Sequence, residues 1–148
     1  MTEHTAAQLH SGRIVVLARP HASPFMWQTH SDDGGKTWSI ACYAPFTGHG
    51  YANLVCTRSG YLVVVKRGPG LALNVSIDGG INWDQGTMID YAGSFNGRMI
   101  EVEPDVVLVV YPEAMDEIRP AYVRAQLIRI TSDGPLPVHT KDSVRDTE

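Results

Sequence analysis

An eight-residue stretch occurs twice in this chain and limits its possible folds more than any other feature. Ser31-Asp32-Asp33-Gly34-Gly35-Lys36-Thr37-Trp38 is answered forty-five residues later by Ser76-Ile77-Asp78-Gly79-Gly80-Ile81-Asn82-Trp83, so Ser, Asp, Gly-Gly and Trp recur in register. Each copy reads as a hairpin corner. The Asp carboxylate can accept the turn's backbone N–H groups, the paired glycines can take positive φ, and the Ser hydroxyl can add a local bond. The Trp that follows carries a large apolar surface back toward the sheet, so Trp38 and Trp83 are both expected to be buried and to lock neighbouring units together. Two copies at a fixed offset mark a repeat architecture.

Around these corners, short β-type runs alternate with turn signals. Residues 5–10, the turn Ser11-Gly12, the apolar run 13–19 closed by Pro20, then 25–30, the corner and 37–43 make four strands, the size of one propeller blade. The pattern restarts with 51–57, the turn Ser59-Gly60, 61–67, 71–75, the second corner and 83–89. A third unit follows in 98–103, the turn Pro104-Asp105, 106–111 and 121–131, with 112–120 as a Pro-bracketed loop. It has no third corner, because Ser132-Asp133-Gly134-Pro135 lacks the second Gly and the Trp, and residues 136–140 are left as its fourth strand. No stretch has helical amphipathic spacing. The expected class is all-β: a partial β-propeller of about three four-stranded antiparallel blades. The blades fall near 4–45, 49–91 and 95–140, in one portion over 1–140, with 141–148 a polar tail.

The corners resemble the Asp-box, Ser-x-Asp-x-Gly-x-Thr-Trp, of the sialidase-like (BNR-repeat) β-propellers. Ser31, Asp33, Gly35, Thr37 and Trp38 match it fully; Ser76, Asp78, Gly80 and Trp83 match with Asn82 in place of the family's Thr. The resemblance runs from about residue 8 to 131. Family members are typically six-bladed, so it implies the C-terminal half of a ring, the remaining blades coming from a longer chain or from a second copy in a homodimer.

Antiparallel strands put the turns between first and second strands on the side of the corners. The opposite side collects the loops after each second strand and the crossings between units. Arg19, Arg67 and Tyr111 end the three second strands there, while the crossings bring His49 and Arg98, and Glu113 follows Tyr111. Arginine forks suit a carboxylate. The family resemblance implies a Tyr nucleophile paired with a carboxylate, for which Tyr111 and Glu113 are the candidates, with Arg19, Arg67, His49 and Arg98 as substrate-binding residues. The implied function is a glycoside hydrolase-type propeller of exo-sialidase kind, acting on or binding acidic, sialic acid-like glycans. The alternative is a non-catalytic Asp-box module for glycan or protein binding.

Charge and composition narrow the partners. A net charge of −4 with no Lys/Arg stripe argues against nucleic acid. No apolar run approaches the ~18 residues of a membrane span. The start lacks the basic and apolar segments of a signal peptide, making the cytoplasm the default compartment. Cys42 and Cys56 read as small apolar residues on strands, and the histidines show no zinc-type pairing, so no metal or cofactor is expected.

Overall fold

The structure, a computed structural model, describes residues 3–19, 21–68, 70–91, 96–116 and 119–138, with the side chains of 113–116 and 119–122 left undescribed. The expected polar tail at 141–148 lies outside the described residues. The first sheet holds β1 (His4–Gln8), β2 (Ile14–Ala18), β3 (Phe25–Ser31) and β4 (Cys42–Thr47). The second holds β5 (His49–Cys56), β6 (Leu62–Gly68), β7 (Gly70–Ser76) and β8 (Thr87–Asp90). The third holds β9 (Arg98–Glu103), β10 (Val106–Asp116), β11 (Arg119–Thr131) and β12 (Gly134–Pro137). Each sheet is antiparallel and ordered as in sequence, and no helix occurs among the described residues. These are three blades of a β-propeller.

The first strands lie innermost and side by side. Leu54 N–H donates to Thr5 Oγ1 at 3.0 Å and Met99 N–H donates to Asn53 Oδ1 at 2.7 Å, so each inner strand is tied to the next blade's. Between blades lie two apolar layers. Val15 and Leu17 meet Leu54, Leu62 and Val64 in the first; Val63, Val65 and Leu73 meet Met99, Val107 and Val109 in the second. Burial follows position in the arc. In β6 Leu62, Val63, Val64 and Val65 are all fully buried because blade 2 is covered on both faces. In β2 burial alternates, since only one face has a neighbour. Each fully buried Val or Leu contributes roughly 1.5–3 kcal/mol of transfer free energy, so the middle blade is the best anchored.

Several features differ from the sequence expectation: β4 begins at Cys42 instead of 37 and β8 at Thr87 instead of 83, because the corners continue past Trp38 and Trp83 before pairing resumes. β10 and β11 extend into the Pro-bracketed segment, staying paired as far as Asp116 and Arg119 with bulges between Glu113 and Asp116. β12 begins at Gly134 instead of 136, because Thr131 Oγ1 donates to Gly134 O at 2.8 Å and closes a two-residue turn. Trp38 is 47% exposed, not buried, because the neighbour it would lean on is not in the described arc.

Candidate functional site

The two repeat corners fold alike. In the first, Asp33 Oδ1 accepts Lys36 N–H and Thr37 N–H, each at 2.9 Å, and its other oxygen accepts the Thr37 hydroxyl at 2.6 Å. Ser31 Oγ donates to Asp33 at 2.8 Å and receives Gly35 N–H at 2.9 Å. The Thr37 hydroxyl and N–H, with Ser31 and Lys36 N–H, pull the Asp33 carboxyl down to about 2. In the second corner Asp78 takes the same bonds from Ile81 and Asn82 N–H, and Asn82 Nδ2 replaces the Thr hydroxyl at 2.7 Å from Asp78 Oδ2. Burial works to raise the Asp78 pKa, but the Asn82, Ser76 and Ile81 bonds outweigh it and the carboxyl stays depressed. These acids are spent inside their turns.

On the same side lie the turns between first and second strands: Leu9, His10, Ser59, Gly60, Asp78 and Gly79 line one shallow depression. Asp105, at φ 56°, belongs to this side and ties blade 3 to blade 2 by accepting Thr57 Oγ1 at 2.7 Å and Ser59 Oγ at 2.6 Å. The crossings and the loops after the second strands are at the other end.

At that other end, His49 and Arg67 face each other in the β5–β6 ladder. Tyr51 is exposed on β5, and the exposed Arg98 at the start of β9 sets its guanidinium over the Tyr51 ring, 5.7 Å from the centroid. Asn96 Oδ1 accepts Tyr51 N–H at 3.0 Å, holding the two blades together beneath this pair. The crossing from blade 1 is a single residue, Gly48, where a Cβ would stand 2.7 Å from Met26 Sδ; only glycine passes without displacing the methionine. Arg19 stands apart, held by Glu3 at 3.1 Å within blade 1.

Arg98 occupies a telling position. Thr5 pairs with Leu17, Asn53 with Val65 and Arg98 with Val110, and these three places match from blade to blade. Thr5 and Asn53 offer an oxygen to the next inner strand; Arg98 offers a cation.

Tyr111 does not share the register of Arg19 and Arg67 expected from sequence. Tyr111 follows Val107 and Val109 on the face toward blade 2, as Lys66 follows Leu62 and Val64 on the face toward blade 1. The physical cause is the two-residue turn Pro104-Asp105 and the bulge after it in the β9–β10 ladder, which shift the third blade by one residue. Tyr111 is 1% exposed, and its hydroxyl donates to Asp90 Oδ2 at 2.7 Å while accepting Gln126 Nε2 at 2.6 Å. Arg124 Nη1 lies 3.7 Å from the same Asp90 oxygen. Burial, and then the Asp90 carboxylate, push the phenol up to about 12 against the opposing pull of Gln126 and Arg124. The Glu113 side chain lies outside the described residues; its backbone sits in β10 opposite Tyr122. Asp90, absent from the sequence reading, could have been found only from the pairing of β7 with β8.

No protein-family model matches the sequence, and no curated protein matches it either. Solved structures do. An intramolecular trans-sialidase from leech, solved with 2,7-anhydro-Neu5Ac, matches 90% of this chain and 23% of its own, with a TM-score of 0.67 and 18% identity. The fold is that of the sialidase propellers. NanB sialidase from Streptococcus pneumoniae matches over 84% of this chain and 22% of its own, with a TM-score of 0.65 and 17% identity. An α-L-arabinofuranosidase from Fusarium graminearum, in complex with an iminosugar inhibitor, matches over 85% of this chain and 44% of its own, with a TM-score of 0.64 and 12% identity. This chain therefore spans 22–44% of the length of these three proteins.

Proposed function

We propose that the chain forms part of a glycan-binding propeller of the sialidase type and recognises an acidic, sialic acid-like sugar at the end where His49, Tyr51, Arg67 and Arg98 meet. The observation that carries this reading is Arg98: an exposed guanidinium stacked on an exposed Tyr51 ring, at a place where the other two blades have neutral ties. A guanidinium engages a carboxylate by two parallel bonds, and an aromatic ring offers a sugar an apolar face. The sialidase and trans-sialidase among the structural neighbours agree in ligand class. Calorimetric titration of the full chain with N-acetylneuraminate, against galactose as the uncharged control, tests it. Binding of the anion alone is expected, weakened roughly tenfold or more by Arg98→Ala, as loss of a charged hydrogen bond of about 1.5–3 kcal/mol implies. Equal affinity for galactose, or none for either sugar, would overturn the proposal.

A second, catalytic reading is favoured by one contact, the Tyr111 hydroxyl on the Asp90 carboxylate. In the resting state burial and Asp90 keep the phenol protonated, and the part of Asp90 in this reading is that of a base taking the proton as the phenol oxygen attacks. In this reading Asp90 takes the role first assigned to Glu113. Turnover of an aryl sialoside that disappears in Tyr111→Phe would support it, whereas turnover unchanged in that variant would remove Tyr111 from the chemistry.

A further inference from the structure

Every blade has one face toward the blade before it and one toward the blade after it. Blade 1 leaves the first uncovered and blade 3 the second. We infer that these two open faces are complementary and that a second copy of this chain covers them, head to tail, closing a ring of six blades through two identical seams.

The chain's own seams supply the template. On the third strand of each blade, Gln28, Leu73 and Ala125 hold matching places toward the following blade, and Trp27, Ala72 and Arg124 toward the preceding one. Closing blade 3 onto blade 1 of a second copy would set Ala125 against Trp27. Ala125 is small at the place where Trp27 is large.

The tryptophans of the repeat corners agree. Trp83 uses Gln28 of the preceding blade as its acceptor, at 2.9 Å. Trp38 would meet Ala125 at that place, which offers no acceptor, and it bonds its own Gly35 carbonyl at 3.1 Å instead. Blade 1 thus carries a corner already adapted to an apolar neighbour. Its open face is aromatic: Trp27, 36% exposed, stacks on Tyr43 at 4.3 Å, with Phe25 6.2 Å from Tyr43. The open face of blade 3 carries the exposed Val123 and Ile100 alongside the exposed Arg98 and Arg129; Ile100, at 61%, matches Ala7, which packs into the seam between blades 1 and 2. A head-to-tail contact closes into a ring when its rotation closes, and six blades lie within the range of closed propellers. At the inner end, Arg98 replaces the oxygen of Thr5 and Asn53, so the closing seam lacks the inner-strand tie and rests on side-chain packing. One charged substitution is then enough to open it.

The test is the solution mass of the full chain at micromolar concentration, by size-exclusion chromatography with light scattering. The expected value is twice 16.2 kDa. Trp27→Glu on blade 1 and Ile100→Arg on blade 3 should each run as monomers with an unchanged far-ultraviolet β spectrum. Mixing the two variants should restore dimer, because a head-to-tail pair then keeps one intact seam. A monomeric or aggregating native chain would overturn the inference and assign the faces to other blades. A dimer lost in Trp27→Glu but kept in Ile100→Arg would overturn it as well, since like faces would then be meeting.

Discussion

Trp83 donates its indole N–H to the carboxamide oxygen of Gln28, 55 residues earlier and on the neighbouring blade, while Gln28 Nε2 donates to Gly80 O at 2.6 Å within the same corner. The Trp83 ring also meets Phe46 edge-on at 5.1 Å. Trp38 has the same sequence context and no such partner, so the two tryptophans should separate in mutation. Trp83→Ala is expected to cost about 3 kcal/mol, at the lower end of the range for large aromatic deletions because the ring is only partly buried. Trp38→Ala should cost under about 1 kcal/mol as an exposed substitution. Urea unfolding in the Trp27→Glu background keeps association out of both values. Equal losses would mean that the seam geometry is wrong.

The first corner carries a pH dependence whose sign is fixed by Asp33. Its carboxyl lies at about 2 when folded, against an ordinary value of 3.8. A depressed acid stabilises the fold at pH values above the unfolded pKa, and that stabilisation is lost as pH falls through the folded value. The thermal midpoint should therefore fall between about pH 4 and pH 2, and Asp33→Asn should flatten that part of the curve while lowering the plateau near neutrality. A variant curve parallel to the native one across that interval would exclude Asp33 as the titrating group.

Much of this architecture was legible in the sequence because the signals were local. Ser31-x-Asp33 and Ser76-x-Asp78 specify their turns from within, and the apolar runs at Ile14, Leu62 and Val106 specify second strands without help from elsewhere. What could not be read depends on pairing across the sheet. The shift that separates Tyr111 from Arg67 comes from a shorter turn and a bulge, and one residue of register moves a side chain to the opposite face. Asp90 becomes a partner of Tyr111 only once β8 is laid beside β7 and blade 3 against blade 2. The exposure of Trp38 is likewise a property of the arc, not of the corner. At the candidate site, Arg67 and His49 meet because their strands pair, whereas Arg19 is diverted by Glu3, which no spacing rule would reveal.

The crossing between blades 1 and 2 makes Gly48 a sensitive position. Its absent Cβ would lie 2.7 Å from Met26 Sδ and 3.0 Å from Met26 Cγ, and Met26 is a buried member of the first seam. The thioether can move, but only within a packed layer. Gly48→Ala should cost about 1–3 kcal/mol, the range for overpacking a filled core. Gly48→Ala combined with Met26→Ala should cost less than the sum of the two single losses, since the second change makes room for the added methyl. If the pair is additive in chemical denaturation, the two sites are not in contact.

Tyr111 offers the most direct spectroscopic test of the blade 2–blade 3 seam. Its hydroxyl is buried, donates to Asp90 and accepts from Gln126, and its pKa is raised to about 12. A raised acid stabilises the fold below its unfolded pKa, near 10, and that stabilisation is lost as pH rises through about 12. Alkaline titration followed by phenolate absorbance should show one tyrosine ionising late, together with the onset of unfolding. Tyr111→Phe should remove that late step and leave the earlier ones in place. Asp90→Asn should lower it, because the carboxylate that opposes the phenolate has gone while burial remains. A late step that persists in Tyr111→Phe would place the buried phenol elsewhere and break the assignment of the Tyr111–Asp90 pair.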